Sequence, residues 1–404
     1  MSHLHNPVIP ALTGAISKTD LVQYLTPMHS QNAGDGFGVM QYSHGITTVP
    51  NAYAGAVYSP TQNRIYMVPC GASSSAAWHY VNCDTGVIVA YTHGYGTTIT
   101  ANAYIGGCYS PTQNRIYFIP SSISLQATWH YLDCATGNVV SYAHGLGANP
   151  VYAYYGGVYS PTQNRIYLVP YGDSSAANWH YINCATGAVV AYAHGFGTTI
   201  TANAYIGGCY SPTQDRIYLT PYGCSSVATW HYLDCSTGVV VAYAHGFGTT
   251  ITANAYVGGC YSPTQNRIYF IPMNISAVAV WHYVDCNNGA VVTYAHGFGT
   301  TIPTQAYTGG YYSPTQNTIL LIPRTISTAA NWHYIDCATG TVIAYENRVT
   351  SAGSYIGGCY SPTQNRVYFA PYTQAQNANW HYIQEFSPVE TAPLLMANGL
   401  FNKF

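Results

Sequence analysis

The sequence predicts an all-β chain closed into a seven-bladed β-propeller, with four antiparallel strands per blade and the last blade completed by an N-terminal strand. Three observations carry the prediction. The phrase Tyr-Ser-Pro-Thr-Gln begins seven times, at Tyr58, Tyr109, Tyr159, Tyr210, Tyr261, Tyr312 and Tyr360. Each copy is followed by a Trp-His-Tyr triplet, at Trp78, Trp129, Trp179, Trp230, Trp281, Trp332 and Trp380, and these are all the tryptophans of the chain. A third motif, Tyr-x-His-Gly, runs one place out of step with the other two.

The repeat at residues 103–145 reads as four short strands: AYIGGCY, NRIYFIP, TWHYLDC and NVVSYAH. β-branched and aromatic residues alternate within them, and Ser-Pro-Thr-Gln, a Ser-rich loop and Ala-Thr-Gly punctuate them as turns. Closure follows from the third motif. Its copies stand at Tyr42, Tyr91, Tyr142, Tyr192, Tyr243 and Tyr294, with a degenerate one at Tyr345. The first precedes every other strand of its own blade, and the blade of Trp380 has no fourth strand before the chain turns into SPVETAP. The strand near Tyr42 is therefore expected to pair beside Trp380 and remove the open edges of the ring. This divides the chain into an N-terminal arm (1–36), the propeller (37–386) and an apolar C-terminal tail (387–404), with a short helix expected at Ser17–Leu25.

Composition narrows the function classes. Only 5% of residues are charged, where about a quarter is usual. With 42 tyrosines and 39 glycines, the surface must be built from Tyr, Thr, Ser, Asn and Gly rather than from ions. A net charge of −2 supplies no basic field for nucleic acid, and no apolar run is long enough to span a bilayer. No secretory signal is read at the N-terminus, so synthesis and folding in a cytosol are expected. Most of the twelve cysteines occupy two repeat positions, one of which alternates with Val57 and Val158; they are expected as free, buried thiols, with Cys70 and Cys224 in loops as exposed ones.

The second-strand Asn-Arg-Ile-Tyr, as at Asn114–Tyr117, and the Asp-Cys-x-Thr-Gly turn, as at Asp133–Gly137, resemble β-propeller repeats of the YVTN and quinoprotein types across residues 37–386. The resemblance implies architecture. The Trp-His-Tyr triplet and the Tyr-x-His-Gly ending depart from those families, and no cofactor is carried over.

A residue present in every blade is what repeat packing demands. The seven tryptophans therefore read as an inter-blade packing layer, with sugar platforms as the alternative. A tight Thr-Gly turn is expected to set Trp129 opposite His144. Equivalent histidines of the ring stand on the order of 13 Å apart, too far to share an ion held at about 2 Å, so no metal is expected. Asp133 and its equivalents swap with Asn82 and Asn183, as turn caps do, and Arg64, Arg115 and their equivalents are expected to pair with those turn carboxylates. No nucleophile–base pair or phosphate loop is visible, so no catalysis and no cofactor are expected.

Variation between repeats is more informative. The Ser-Pro-Thr-Gln and Asp-x-x-Thr-Gly turns share a constant end, while the loops after the second strand vary at the other end. Tyr171, Tyr222, Met273, Arg324 and Tyr372 open five of those loops and are the candidate binding residues, with solvent-loop drift as the bland alternative. The seventh blade breaks symmetry with Glu346 and Arg348 where the others carry Ala-His-Gly, a candidate contact. The leading expectation is a non-enzymatic structural or attachment protein of a virion, made in the host cytosol. Its partners are expected to be other structural proteins, or further copies of itself held through the terminal arms. The alternative is a multivalent glycan-binding lectin, or a cytoplasmic location.

Overall fold

The structure, a computed structural model, describes residues 37–146, 152–347, 349 and 354–385. Both arms, the helix expected at Ser17–Leu25, and Arg348 lie outside the described residues.

Seven four-stranded antiparallel sheets form the ring. Six are sequential: blade 1 runs from Tyr53 to Thr92, blade 2 from Tyr104 to Ala143, blade 3 from Tyr154 to Ala193, blade 4 from Tyr205 to Ala244, blade 5 from Tyr256 to Ala295 and blade 6 from Tyr307 to Glu346. Blade 7 takes Tyr355–Ser361, Arg366–Pro371 and Asn379–Glu385, and its outermost strand is Phe37–Ser43. Phe37 pairs with Glu385 and Tyr42 with Trp380, so the two ends of the domain close one sheet. Counted this way, the strand that ends in Glu346 belongs to blade 6, not to the last blade.

Each strand's sequence suits its depth. First strands line the axis, where Tyr-x-Gly-Gly bulges between Tyr104 and Gly107. Gly106 has φ +79°, and a Cβ there would stand 3.4 Å from the Gly156 Cα of the next blade, so the closest approach of neighbouring strands requires glycine. Second strands such as Arg115–Pro120 are buried after the first residue. Fourth strands such as Val139–Ala143 alternate buried and open positions, as a half-covered edge should.

The tryptophans form the inter-blade layer, each no more than 1% exposed. Trp129 pairs in register with Tyr142, not His144. The imidazole of His144, two residues on, still reaches the indole and stacks on it at 4.1 Å while Nε2–H donates to the Gln126 carbonyl at 2.5 Å. Six blades share this stack. In blade 6, Asn347 replaces the histidine. Its Nδ2 donates to the Ala329 carbonyl at 2.5 Å and its Oδ1 accepts from the Val349 N–H at 2.8 Å, which keeps the hydrogen bonds and drops the stack.

The constant end is tied by a closed belt. The Thr61 hydroxyl donates to Asn114 Oδ1 of the next blade at 2.8 Å, and equivalent bonds run from Thr112, Thr162, Thr213, Thr264 and Thr315 to Thr363, which closes on Asn63 at 3.2 Å. The acceptor residue sits at φ 51–53° throughout, a conformation that Asn and Asp tolerate.

Two expectations are corrected here. The repeated arginines do not pair with turn carboxylates: six guanidiniums lie over a tyrosine of the adjacent strand in their own blade, Arg115 over Tyr131 at 4.2 Å among them. The turn carboxylates instead cap backbone, as Asp133 does for the Ala135 N–H at 2.8 Å. All twelve cysteines are free thiols, but Cys70 and Cys224 are buried, at 7% and 4% exposure.

Candidate functional site

The first residue after each second-strand proline is held by the same backbone contacts in every blade. Tyr171, Tyr222, Met273 and Arg324 donate their N–H to Ala153, Ala204, Ala255 and Ala306 at 2.7–2.8 Å, and Tyr372 donates to Ser354 at 3.0 Å. A fixed backbone with a free side chain lets the five predicted residues converge. All five line one cavity of about 650 Å³ at the variable end of the axis. A second cavity of about 420 Å³ shares Tyr155, Tyr171, Ile356 and Tyr372 with it and adds Cys70 and Ser121, the two remaining loop openers. Together they make one axial funnel.

A second ring of residues, absent from the sequence expectations, forms the inner wall. It is the residue after the first tyrosine of each first strand: Ala54, Ile105, Tyr155, Ile206, Val257, Thr308 and Ile356. Its variation against an otherwise constant strand was the available signal.

The funnel is chemically lopsided. Tyr155 and Tyr171 lie 5.7 Å apart and Tyr171 and Tyr222 6.2 Å apart, with Met273 continuing the apolar arc. Thr308, Arg324, Thr325, Thr328 and Thr373 supply the polar part of the lining, with Arg324 close enough to act on the phenols of Tyr155 and Tyr372. Burial raises the phenols of Tyr155, Tyr171 and Tyr372, so they remain neutral hydrogen-bonding groups. Arg324 is the one charged side chain among the described lining residues.

The other candidates fall elsewhere. Glu346 is exposed on the outermost strand of blade 6 and does not line the funnel. The tryptophans have no open ring face, since neighbouring aromatics and the stacked imidazole cover them, so they offer no sugar platform. The blade seams do open as grooves. Those beside His130 and His231 measure about 230 and about 220 Å³ and are lined by equivalent residues, with Tyr95 and Phe196 edge-on to the imidazoles at 4.7 and 4.6 Å. His130 Nδ1 shares a hydrogen bond with the Tyr104 hydroxyl at 2.6 Å. Burial pulls His130 down to about 4, and the six equivalent imidazoles likewise.

One loop adds a buried charge. Asp173 is 6% exposed, where other blades place Ala72, Ile123, Cys224, Ile275, Ile326 and Gln374. Its Oδ2 lies 3.5 Å from His180 Nδ1, which is also hydrogen-bonded to the Tyr154 hydroxyl at 2.7 Å, and burial pushes its carboxyl up to about 6. Among the described residues, no group of three or more His, Cys, Asp or Glu side chains could hold a metal, and no helix is long and apolar enough to cross a membrane.

The chain is a seven-bladed β-propeller. Solved structures share the architecture at low identity. The extracellular domain of a hybrid two-component system from B. thetaiotaomicron superposes with TM-score 0.58 at 10% identity, over 87% of this chain and 42% of that one. Hydrazine synthase from Kuenenia stuttgartiensis gives 0.56 at 12% identity, over 83% and 97%. A chain of the mitotic checkpoint complex gives 0.56 at 10%, over 86% and 91%. Such likeness speaks to the fold alone. No family model and no curated protein matches the sequence.

Proposed function

We propose that this propeller is a non-enzymatic attachment or structural protein that engages a protein partner through the axial funnel at its variable end. The observation that supports the reading is the convergence of Tyr171, Tyr222, Met273, Arg324 and Tyr372 in one cavity on a backbone that is otherwise repeated. Internal duplication would fill that position with one residue type; it holds five types instead. The charge-poor surface and the apolar 387–404 tail favour a virion component, assembled in a host cytosol and anchored through the arms. A photo-cross-linking residue at Tyr222, compared with one at Ala135 of the constant end, tests this in the native assembly. Cross-links from position 222 to a partner are expected; cross-links from position 135 alone would overturn the reading.

A second reading, a multivalent glycan binder, is favoured by the equivalent seam grooves beside His130 and His231. Glycan-array binding that disappears in Tyr95→Ala/Phe196→Ala would support it, and a silent array would remove it.

A further inference from the structure

We infer that the funnel takes an acidic-apolar peptide segment, its carboxylate against Arg324 and its apolar side chain against Tyr171, Tyr222 and Met273; this rests on the funnel being the binding site.

The chain uses its arginines in one repeated way, with a single exception among the described residues. Seven are described, and six of them stack over a tyrosine of their own blade at 4.2–4.5 Å. Blade 6 lacks that arginine, having Thr318 in its place, and carries Arg324 six residues on, at the funnel wall. No repeat contact calls for a cation there: the equivalent positions hold Cys70, Ser121, Tyr171, Tyr222, Met273 and Tyr372 on the same backbone bonds. No carboxylate lines either part of the funnel, and the buried carboxyl of Asp173 lies beside His180 instead. A guanidinium offers a planar fork of donors that matches a carboxylate in two parallel bonds.

The rest of the wall sets the ligand's other end. Thr308, Thr325 and Thr328 of the same blade share the wall with Arg324, and Tyr171, Tyr222 and Met273 of the three preceding blades line the same cavity. A volume of about 650 Å³ lies within the range of roughly 300–1,000 Å³ that ligand pockets occupy. A ligand with an anion beside an apolar body meets both kinds of wall residue, and a short peptide carrying Asp or Glu beside Leu or Phe has that form. A basic or wholly apolar segment would leave Arg324 opposed or unpaired.

The test uses the full chain and two probe peptides, acetyl-Leu-Asp-Leu-amide and acetyl-Leu-Asn-Leu-amide, titrated calorimetrically. The Asp peptide is expected to bind about tenfold tighter or more, with a margin that shrinks as salt rises. Arg324→Gln should erase the margin. Tyr222→Ser should weaken both peptides and keep their ratio; Ser121 shows that the backbone accepts serine there, and thermal melts check that each variant is folded. Equal binding of the two peptides, no binding of the Asp peptide up to millimolar concentration, or a margin that survives Arg324→Gln would each overturn the inference. Equal binding that Tyr222→Ser weakens would leave the funnel as a binding site and remove only the anion. Cross-links confined to position 135 would remove the funnel itself.

Discussion

Acid should unfold this ring well above the pH at which carboxylates titrate, because it buries seven neutral imidazoles. His79, His130, His180, His231, His282, His333 and His381 are each at most 8% exposed. Each shares a hydrogen bond with a tyrosine hydroxyl through Nδ1, as His130 does with Tyr104 at 2.6 Å. Burial holds all seven at about 4, below the ordinary 6.5. The unfolded chain therefore binds more protons below 6.5, and stability falls as pH falls, the loss being complete once pH is below about 4. At about pH 5.5 each imidazole has removed about 1.4 kcal/mol. Even at half that value, seven sites remove about 5 kcal/mol, a large part of the roughly 5–15 kcal/mol that keeps a protein folded. Asp173 and Glu385, both raised by burial, favour the fold as pH falls, but they are two against seven. Denaturant titration followed by fluorescence of the buried tryptophans measures this directly. A midpoint that drops steeply from about pH 7.5 to about pH 5.5 is expected, and an unchanged midpoint would refute the reasoning.

Two further outcomes follow from blades that depart from the repeat. Asp173→Ile installs the residue found at Ile123, Ile275 and Ile326; it should stabilise the protein by about 3 kcal/mol at about pH 7.5, measured by urea unfolding, and by less as pH falls below 6, where the aspartate is already protonated. Asn347→His should restore the imidazole stack on Trp332 and raise stability by about 1 kcal/mol in the same assay; a loss would show that blade 6 packs differently from its neighbours.

The ring, its clasp at Tyr42–Trp380 and the division into a constant and a variable end were legible because each depends on spacing, which repeats make visible. What the sequence hid depends on side-chain direction. Arg115 and Asp133 are paired in register, which suggests an ion pair, yet the guanidinium lies over Tyr131 and the carboxylate caps its own turn. The stack of His144 on Trp129 was anticipated from a register that proved two residues off, because the imidazole reaches past Tyr142. The five loop openers were named individually, but only the ring geometry makes them one funnel, and the inner wall at Tyr155 and Ile206 was missed because it lies inside a strand that otherwise looks constant. The burial of Asp173 could not be read from a Ser-rich loop that looks solvent-exposed.

Hydroxyl-radical footprinting of the chain, free and in its native assembly, tests the binding role of the variable end most directly, since tyrosine and methionine report the label well. Protection in the assembly is predicted at Tyr171, Tyr222, Met273 and Tyr372, with Tyr109 and Tyr159 of the constant end labelled alike in both states. Protection at Tyr109 and Tyr159 with the funnel residues unchanged would contradict the account.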